Sequence, residues 1–376
     1  MAFAGATPMD AEIPETTPHT IACRVPEASR FPDTGEKLYH YTAYLPAGYK
    51  ADDRPYPVLW ICSPQGNANP LWHKDVLDRE QMIGVALVES KNGPMQPVVE
   101  NHYAAMADVL QRFRAAPGFM IATGFSGAGY ASMTFAESQF FGGVLQHGAA
   151  PIGVNGNQIV QPAIVKGNPT CCVYGVFGIT DGANPGITFT PLLPDTVARR
   201  FSLQSGGHHQ AQPGAFADGM EFLLDEMHAR RPAPNDAAPV QYAARFRLLL
   251  ARAKAAEGIA KHEALEAAAR IVQGRKFATE KPYAEDKALQ ADIAEASRQY
   301  QAVSKAPGIK TEIDARDAYQ KIRDAEDAEW GAHIRDLGSF AKKQAVEYEA
   351  AAKKFPNAFY GKKAATRAAW LAKGVE

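Results

Sequence analysis

The chain has 376 residues, of which 46% are hydrophobic and 22% are charged, with a formal net charge of −1. This length accommodates two ordinary domains. The balanced charge excludes a strongly basic chain built to bind nucleic acid, and the sequence has no continuous apolar run of about 18 residues that could cross a membrane.

The two ends of the chain differ in charge. Residues 1–240 carry 15 basic and 22 acidic side chains, whereas residues 241–376 carry 25 basic and 19 acidic ones. The small basic surplus in residues 241–376 favours a solvated helical surface over an anion-binding site.

The N-terminal residues 1–19 are predicted to be an extension. Ala2-Phe-Ala4 before Gly5 has the small-x-small pattern of a signal-peptidase site, which favours a secreted or periplasmic protein whose signal peptide has been removed. The four cysteines lack metal-ligand spacing and are expected to be buried free thiols, although a pairing that involves Cys23 or the adjacent Cys171-Cys172 stays open.

Eight short apolar runs predict the strands of a sheet that is buried on both faces. Two of them, at 20–25 and 38–45, are expected to form an antiparallel edge. The others lie at 56–62, 82–88, 118–123, 142–147, 171–177 and 200–204. Helical periodicity between several of these runs, notably over 98–113, indicates a mostly parallel α/β sheet.

A helix over 214–228 precedes the proline-bearing segment 231–239, which is predicted to be a linker. Residues 240–376 are rich in Ala, Lys, Glu, Gln and Arg and predict an all-helical domain. Its helices are expected at 240–257, 259–275, 284–304, 314–354 with a break near Leu337-Gly338, and 357–373, the last pair resembling one tetratricopeptide hairpin.

The segment Gly124-Phe-Ser126-Gly-Ala-Gly129 follows an apolar strand directly. A serine on a sharp strand-to-helix turn has its hydroxyl raised above the sheet, and the residues two before and two after it must be small. Here they are Gly124 and Ala128. Ser126 is therefore the candidate nucleophile.

A serine nucleophile needs a base, and the base needs a carboxylate. Asp181 follows the strand at 171–177, and His208-His209 follow the strand at 200–204. Both lie where a parallel sheet exposes the carboxyl ends of its strands. We expect His208 to be the base, with His209 as the alternative, and Asp181 to be the acid, with Asp195 as the fallback. His102 and His147 are expected to be packing residues.

The order Ser126, Asp181, His208, after the fifth, seventh and eighth strands, resembles the α/β-hydrolase superfamily over residues 20–230. The motifs Gly124-Phe-Ser-Gly-Ala-Gly129 and Gly206-Gly-His208 are similar to those of polyhydroxybutyrate depolymerase-like, feruloyl-esterase-like and dienelactone-hydrolase-like esterases. Ala128 departs from the usual glycine. The resemblance implies an α/β-hydrolase fold with a mostly parallel eight-stranded sheet, followed here by an all-α domain.

The fold implied by this resemblance stabilises a tetrahedral oxyanion with two backbone N–H groups. Gly127 supplies the first, and Gln65, or alternatively Gly66, is the candidate for the second because Pro64 has no N–H. Phe125 and Trp72 are candidate substrate-binding residues, together with Tyr130. Only about twenty residues separate the sixth and seventh strands, which predicts a site without a helical cap.

The sequence therefore predicts a serine esterase that needs no metal or organic cofactor and acts on a small-molecule or polymeric ester. A catalytically weak or inactive scaffold protein of the same fold is the alternative, and a serine peptidase is a minor one. A protein partner, or self-association through the C-terminal helices, stays open.

Overall fold

The computed structural model describes residues 18–24, 38–49, 54–155, 158–181, 193–329 and 337–373. Nearly all of the predicted N-terminal extension lies outside these residues. The chain divides into two compact units. The first comprises residues 1–175, 191–199 and 209–223, and the second comprises residues 176–190, 200–208 and 224–376. The predicted domain boundaries stay predictions.

Eight strands form one sheet, and each predicted strand is confirmed to within about three residues. They are β1 (His19–Arg24), β2 (Leu38–Tyr44), β3 (Tyr56–Cys62), β4 (Ile83–Leu87), β5 (Ala115–Phe125), β6 (Phe141–His147), β9 (Cys172–Gly178) and β10 (Arg199–Gln204). Their order in the sheet is β1-β2-β4-β3-β5-β6-β9-β10.

The sheet is mostly parallel, with an antiparallel edge. β1 pairs antiparallel with β2, and β2 pairs antiparallel with β4. β3 runs parallel to β4 and β5, and β5 runs parallel to β6. Every residue of β3, β4, β6 and β9 is buried, as expected for strands covered on both faces. The protein has the predicted mostly parallel, eight-stranded α/β sheet.

In the described residues, five α-helices lie between these strands or directly after the last one. They are α1 (Lys74–Glu80), α2 (Met95–Arg112), α3 (Gly127–Phe135), α4 (Ile164–Gly167) and α5 (Pro213–Asp225), and a turn of π-helix follows at Glu226–Arg230. In the described residues between β6 and β9 the structure has α4 and the short strands β7 (Gly153–Asn155) and β8 (Gln158–Val160). These two strands were not predicted from the sequence.

The C-terminal part is helical, as predicted. It contains α6 (Ala238–Ala255), α7 (Gly258–Gly274), α8 (Lys287–Ser304), α9 (Ile309–Glu329), α10 (Leu337–Lys354) and α11 (Phe359–Lys373). The predicted helix over 314–354 corresponds to α9 and α10, and residues 330–336, which precede the predicted break near Leu337-Gly338, lie outside the described residues. None of the helices that the structure describes combines the length and the apolar character needed to cross a bilayer.

All four cysteines are buried free thiols, which confirms the expectation from their apolar surroundings. Burial raises the pKa of Cys62 to about 12. Thiols held in this protonated form behave as small apolar side chains.

The buried His102 of α2 is a packing residue, as predicted. Its ring stacks on Phe135 at 4.0 Å and meets the edge of Trp60 at 5.5 Å. Its Nδ1 atom is buried without a hydrogen-bond partner. Burial lowers the pKa of His102 to about 3, so the folded protein holds this ring neutral.

This burial makes the stability of the protein depend on pH. Above the ordinary histidine pKa of about 6.5 the ring is neutral in both states, and below it only the unfolded chain takes up the proton. Stability is therefore lost as the pH falls from about 6.5 to about 3, the pKa of His102 in the folded protein. We predict that His102→Phe reduces the decrease in unfolding free energy over this pH range by about 1.4 kcal/mol per pH unit. Chemical denaturation at a series of pH values measures this slope.

The exposed His19 is the matched control. His19→Gln, which also removes one histidine, is carried through the same denaturation series for comparison. If the unfolding free energy of His102→Phe depends on pH in the same way as that of the wild type, the folded protein does not hold the His102 ring neutral.

Candidate active site

The backbone of Ser126 adopts a conformation that L residues rarely occupy. Its φ is 54° and its ψ is −125°, between the end of β5 and the start of α3. Backbone in such sparsely populated regions costs about 1–3 kcal/mol and concentrates at functional sites. This is the strand-to-helix turn that the sequence motif predicts, and the turn raises the side chain of Ser126.

Small residues make this turn sterically feasible. A Cβ atom at Gly124 would lie 2.4 Å from the backbone oxygen of Ala128, and one at Gly129 would lie 2.5 Å from the Cβ of Ala149. Ala128 itself is only 5% exposed. The methyl group at this departure from the usual glycine is therefore accommodated in the packed interior.

Strand β6 fixes the turn through its last residue. The Ser126 N–H donates to the His147 carbonyl at 2.8 Å. The His147 ring is in turn held by Thr123 Oγ1 at 3.0 Å from Nε2 and by the Ala211 N–H at 3.1 Å from Nδ1. Burial, together with the charge of His73, lowers the pKa of His147 to about 3. His147 is a neutral packing residue, as predicted.

Asp181 and His208 form a pair in the second unit. The distance from His208 Nδ1 to Asp181 Oδ2 is 2.9 Å, and the carboxylate side chain is only 1% exposed, whereas 35% of the histidine side chain remains accessible. A carboxylate at Nδ1 fixes the tautomer that leaves Nε2 to accept a proton. The structure thus joins the two residues that the sequence nominated as acid and base.

The alternatives to these two residues have other contacts. Asp195 has a 99% exposed side chain and pairs with Arg199 at 2.9 Å. His209 Nδ1 lies 2.8 Å from the Gln210 carbonyl. Ser126 belongs to the first unit, whereas Asp181 and His208 belong to the second.

The loop after β3 carries the predicted second oxyanion donor and is internally bonded. The Gln65 N–H points at Ser63 Oγ at 3.3 Å, and Ser63 Oγ donates to Asn67 Oδ1 at 2.5 Å. The alternative donor, Gly66 N–H, is bonded to the Ser63 carbonyl at 3.2 Å. Both candidate N–H groups are therefore engaged within the loop.

Sequence reasoning missed Asn92, which lies in the loop after β4. A Cβ atom at Gly127 would lie 2.0 Å from Asn92 Oδ1, so this exposed side chain lies against the residue that follows Ser126. The Asn92 N–H donates to the Pro64 carbonyl at 2.9 Å. The polar run Ser90-Lys-Asn-Gly93 at the end of a buried strand was the available signal.

A cavity of about 450 Å³ opens beside this cluster in the first unit. Its lining mixes polar and apolar residues and comprises Cys62, Ser63, Ser90, Lys91, Asn92, Gly93, Met95, Val98, Gly127, Ala128, Tyr130, Ala131, Thr134 and Ile152. It thus includes Tyr130, which stays a candidate substrate-binding residue. Phe125 and Trp72 do not belong to this lining, and Trp72 is 43% exposed on a short 3-10 helix.

No group of three or more His, Cys, Asp or Glu side chains suited to holding a metal ion occurs in the described part of the chain.

Comparison with known proteins returned solved structures only. No family model matches the chain, and no curated protein matches it. A ferulic acid esterase is similar at 16% identity and a TM-score of 0.43, over 56% of this chain and 99% of that one. A dienelactone hydrolase-like promiscuous phosphotriesterase from metagenomic libraries is similar at 10% identity and a TM-score of 0.41, over 56% and 97%.

Oligopeptidase B from Leishmania major is similar at 10% identity and a TM-score of 0.39, over 57% of this chain and 36% of that one. At such identities and scores the likenesses carry no information on activity or substrate.

The close approach at Gly124 predicts a selective loss of stability. In Gly124→Ala the new methyl group meets a backbone oxygen, and overpacking of this kind costs about 1–3 kcal/mol. In Gly127→Ala it meets only the end of the exposed Asn92 side chain, which swings away. Urea denaturation should therefore show a smaller loss for Gly127→Ala, and equal stability of Gly124→Ala and wild type would contradict the packing described.

Proposed function

We propose that the protein is a serine hydrolase that cleaves carboxylic esters. Ser126 is the nucleophile, His208 is the general base and acid, and Asp181 orients His208. The observation that carries the proposal is the strained backbone of Ser126 at the end of β5, together with the buried carboxylate of Asp181 bonded to the accessible ring of His208.

The sheet order supports bringing these groups together. The elbow follows β5, Asp181 follows β9 and His208 follows β10, which are the fifth, seventh and eighth strands of the sheet in chain order. The carboxyl ends of parallel strands meet at one edge of a sheet, where open α/β folds carry their chemistry.

The proposed reaction has two half-reactions. Ser126 Oγ bonds to the acyl carbon while its proton passes to His208 Nε2, and the tetrahedral intermediate then expels the alcohol, which receives that proton. Water attacks the acyl-enzyme in the same way, and Ser126 leaves with the proton that His208 returns. Asp181 stabilises the imidazolium that forms in each half-reaction.

The oxyanion requires two donors in this proposal. Gly127 N–H is the first, and Gln65 N–H is the second, once it turns from Ser63 Oγ toward the substrate. The Asn92 amide is a further candidate, because it lies against Gly127 and its own backbone N–H is bonded to the Pro64 carbonyl. Removing one such donor typically costs 10²–10³-fold in kcat.

The cavity beside Gly127 is proposed to receive one part of the ester. Its volume of about 450 Å³ suits a group of modest size. Phe125 and Trp72 remain proposed as apolar contacts for the remainder of the substrate. Assays on a panel of esters identify the acyl and alcohol parts of the substrate, which the fold does not specify.

A scaffold protein without turnover is the second candidate. The observation in its favour is the Ser63–Asn67 loop, whose internal hydrogen bonds engage the Gln65 N–H. A binding protein of this fold has no need for a free second oxyanion donor.

Turnover of short-chain p-nitrophenyl esters separates the two candidates. We predict hydrolysis by the wild type, loss of about 10⁴-fold or more in kcat for Ser126→Ala, and about 10⁴-fold for Asp181→Asn, which presents the wrong His208 tautomer. Asp195→Asn is the matched control, since that carboxylate is exposed and paired with Arg199, and it should retain wild-type kcat.

Wild-type turnover at the buffer rate would support the scaffold. Undiminished turnover in Ser126→Ala would contradict the nucleophile.

A further inference from the structure

The C-terminal helices bond directly to strand β10, the last strand in the sheet order. Arg367 of α11 donates from Nη2 to the Leu203 carbonyl at 3.3 Å. Arg323 of α9 donates from Nη1 to Ser202 Oγ at 3.3 Å. Two arginines that are 3% and 5% exposed therefore reach this strand.

A single carboxylate organises these arginines. Glu326 of α9 accepts from Arg367 Nε at 3.1 Å, lies 3.6 Å from Arg323 Nη1, and accepts from the Tyr348 hydroxyl at 2.8 Å. Glu326 is 1% exposed and Tyr348 is fully buried. We call Arg323, Glu326, Tyr348 and Arg367 the buried ion cluster.

Electrostatics keeps the cluster charged. Burial acts to raise the pKa of Glu326, but the positive charges of Arg367 and Arg323 outweigh it, and the pKa is held below its ordinary value. A buried ion pair costs substantial desolvation energy, and removal of one partner leaves an uncompensated charge. Such a cluster adds geometric definition more than net stability.

The strand that the cluster holds leads to His208 within five residues. The Gln204 carbonyl accepts from the Ile179 N–H, and the Gly206 carbonyl accepts from the Thr180 N–H, both at 3.0 Å. A Cβ atom at Gly178 would lie 2.0 Å from the Gly207 oxygen. The segment that carries His208 is thus packed and bonded against the segment that ends in Asp181.

We propose that Arg323 and Arg367, charge-balanced by Glu326, are positioning residues that set the geometry of the His208–Asp181 pair through β10. This inference rests on the proposed function. The helices of residues 240–376 then serve the reaction by fixing the strand that carries its base. Catalysis is sensitive to this geometry, since a displacement of about 1 Å costs about 100-fold in rate.

The test compares two conservative variants of the full chain. Arg367→Lys keeps the positive charge but loses the guanidinium fork that joins Glu326 to the Leu203 carbonyl. Tyr348→Phe is the matched control, because it removes a bond to Glu326 within the same cluster and leaves the contacts of Arg323 and Arg367 to β10 in place. Both are assayed well below their unfolding temperatures.

Two readouts separate positioning from stability. Steady-state kinetics should show kcat of Arg367→Lys reduced by about 10- to 100-fold with KM changed by less than about two-fold. Hydrogen exchange of the Ile179 and Thr180 amides, which bond to the β10 segment, should be faster in Arg367→Lys. Tyr348→Phe should match the wild type in both.

Retention of kcat and of amide protection in a destabilised Arg367→Lys would overturn the proposal. So would equal losses in Arg367→Lys and Tyr348→Phe. If Arg367→Lys does not fold, Ser202→Ala replaces it, because it removes the Arg323 contact to β10 and leaves the cluster intact. Faster exchange with lower kcat supports positioning, and wild-type values contradict it.

Failure of the proposed function can be distinguished from failure of the positioning role. A wild type without ester turnover contradicts that function, whereas the amide-exchange comparison still reports whether the cluster fixes the His208–Asp181 segment. An active wild type with unaffected variants contradicts positioning alone.

Discussion

The strained backbone of Ser126 is the constraint around which the first unit is built. A φ of 54° with a ψ of −125° costs about 1–3 kcal/mol and persists only where neighbouring structure over-determines it. The Ser126 N–H bonds to the His147 carbonyl, and the Ser126 carbonyl accepts from the Gly129 N–H at 2.9 Å. The Gln146 amide, which is buried, donates to the Gly129 carbonyl at 2.9 Å. The absence of a side chain at Gly124 lets the turn close.

Burial and neighbouring charges together set the charge state of buried polar groups in both units. Desolvation lowers the pKa of His102 and His147, so both rings remain neutral and behave as packing rings. Glu326 is as deeply buried but lies between two arginines, and it remains ionised. The same low-dielectric interior thus produces neutral aromatic packing in one unit and a charged anchor in the other, according to the partners within reach.

The sequence predicts the features that are local in the chain. Continuous apolar runs specify the strands, and the spacing around Ser126 specifies the elbow, because each depends on residues within about ten positions. The His208–Asp181 pair could be predicted from the sequence because the order of the strands dictates which loops meet. The buried ion cluster could not be predicted from the sequence, since Glu326 and Arg367 are 41 residues apart and share no periodic pattern. Asn92 was missed because only the fold brings its loop to Gly127.

Covalent labelling measures whether Ser126 is an activated nucleophile. A fluorophosphonate reacts with a serine only when a base and an oxyanion site activate it, and tandem mass spectrometry then locates the adduct. We expect one adduct per chain, on Ser126, and no adduct on Ser126→Ala under the same conditions. Equal labelling of both proteins, or an adduct on another serine such as Ser63, would contradict this expectation.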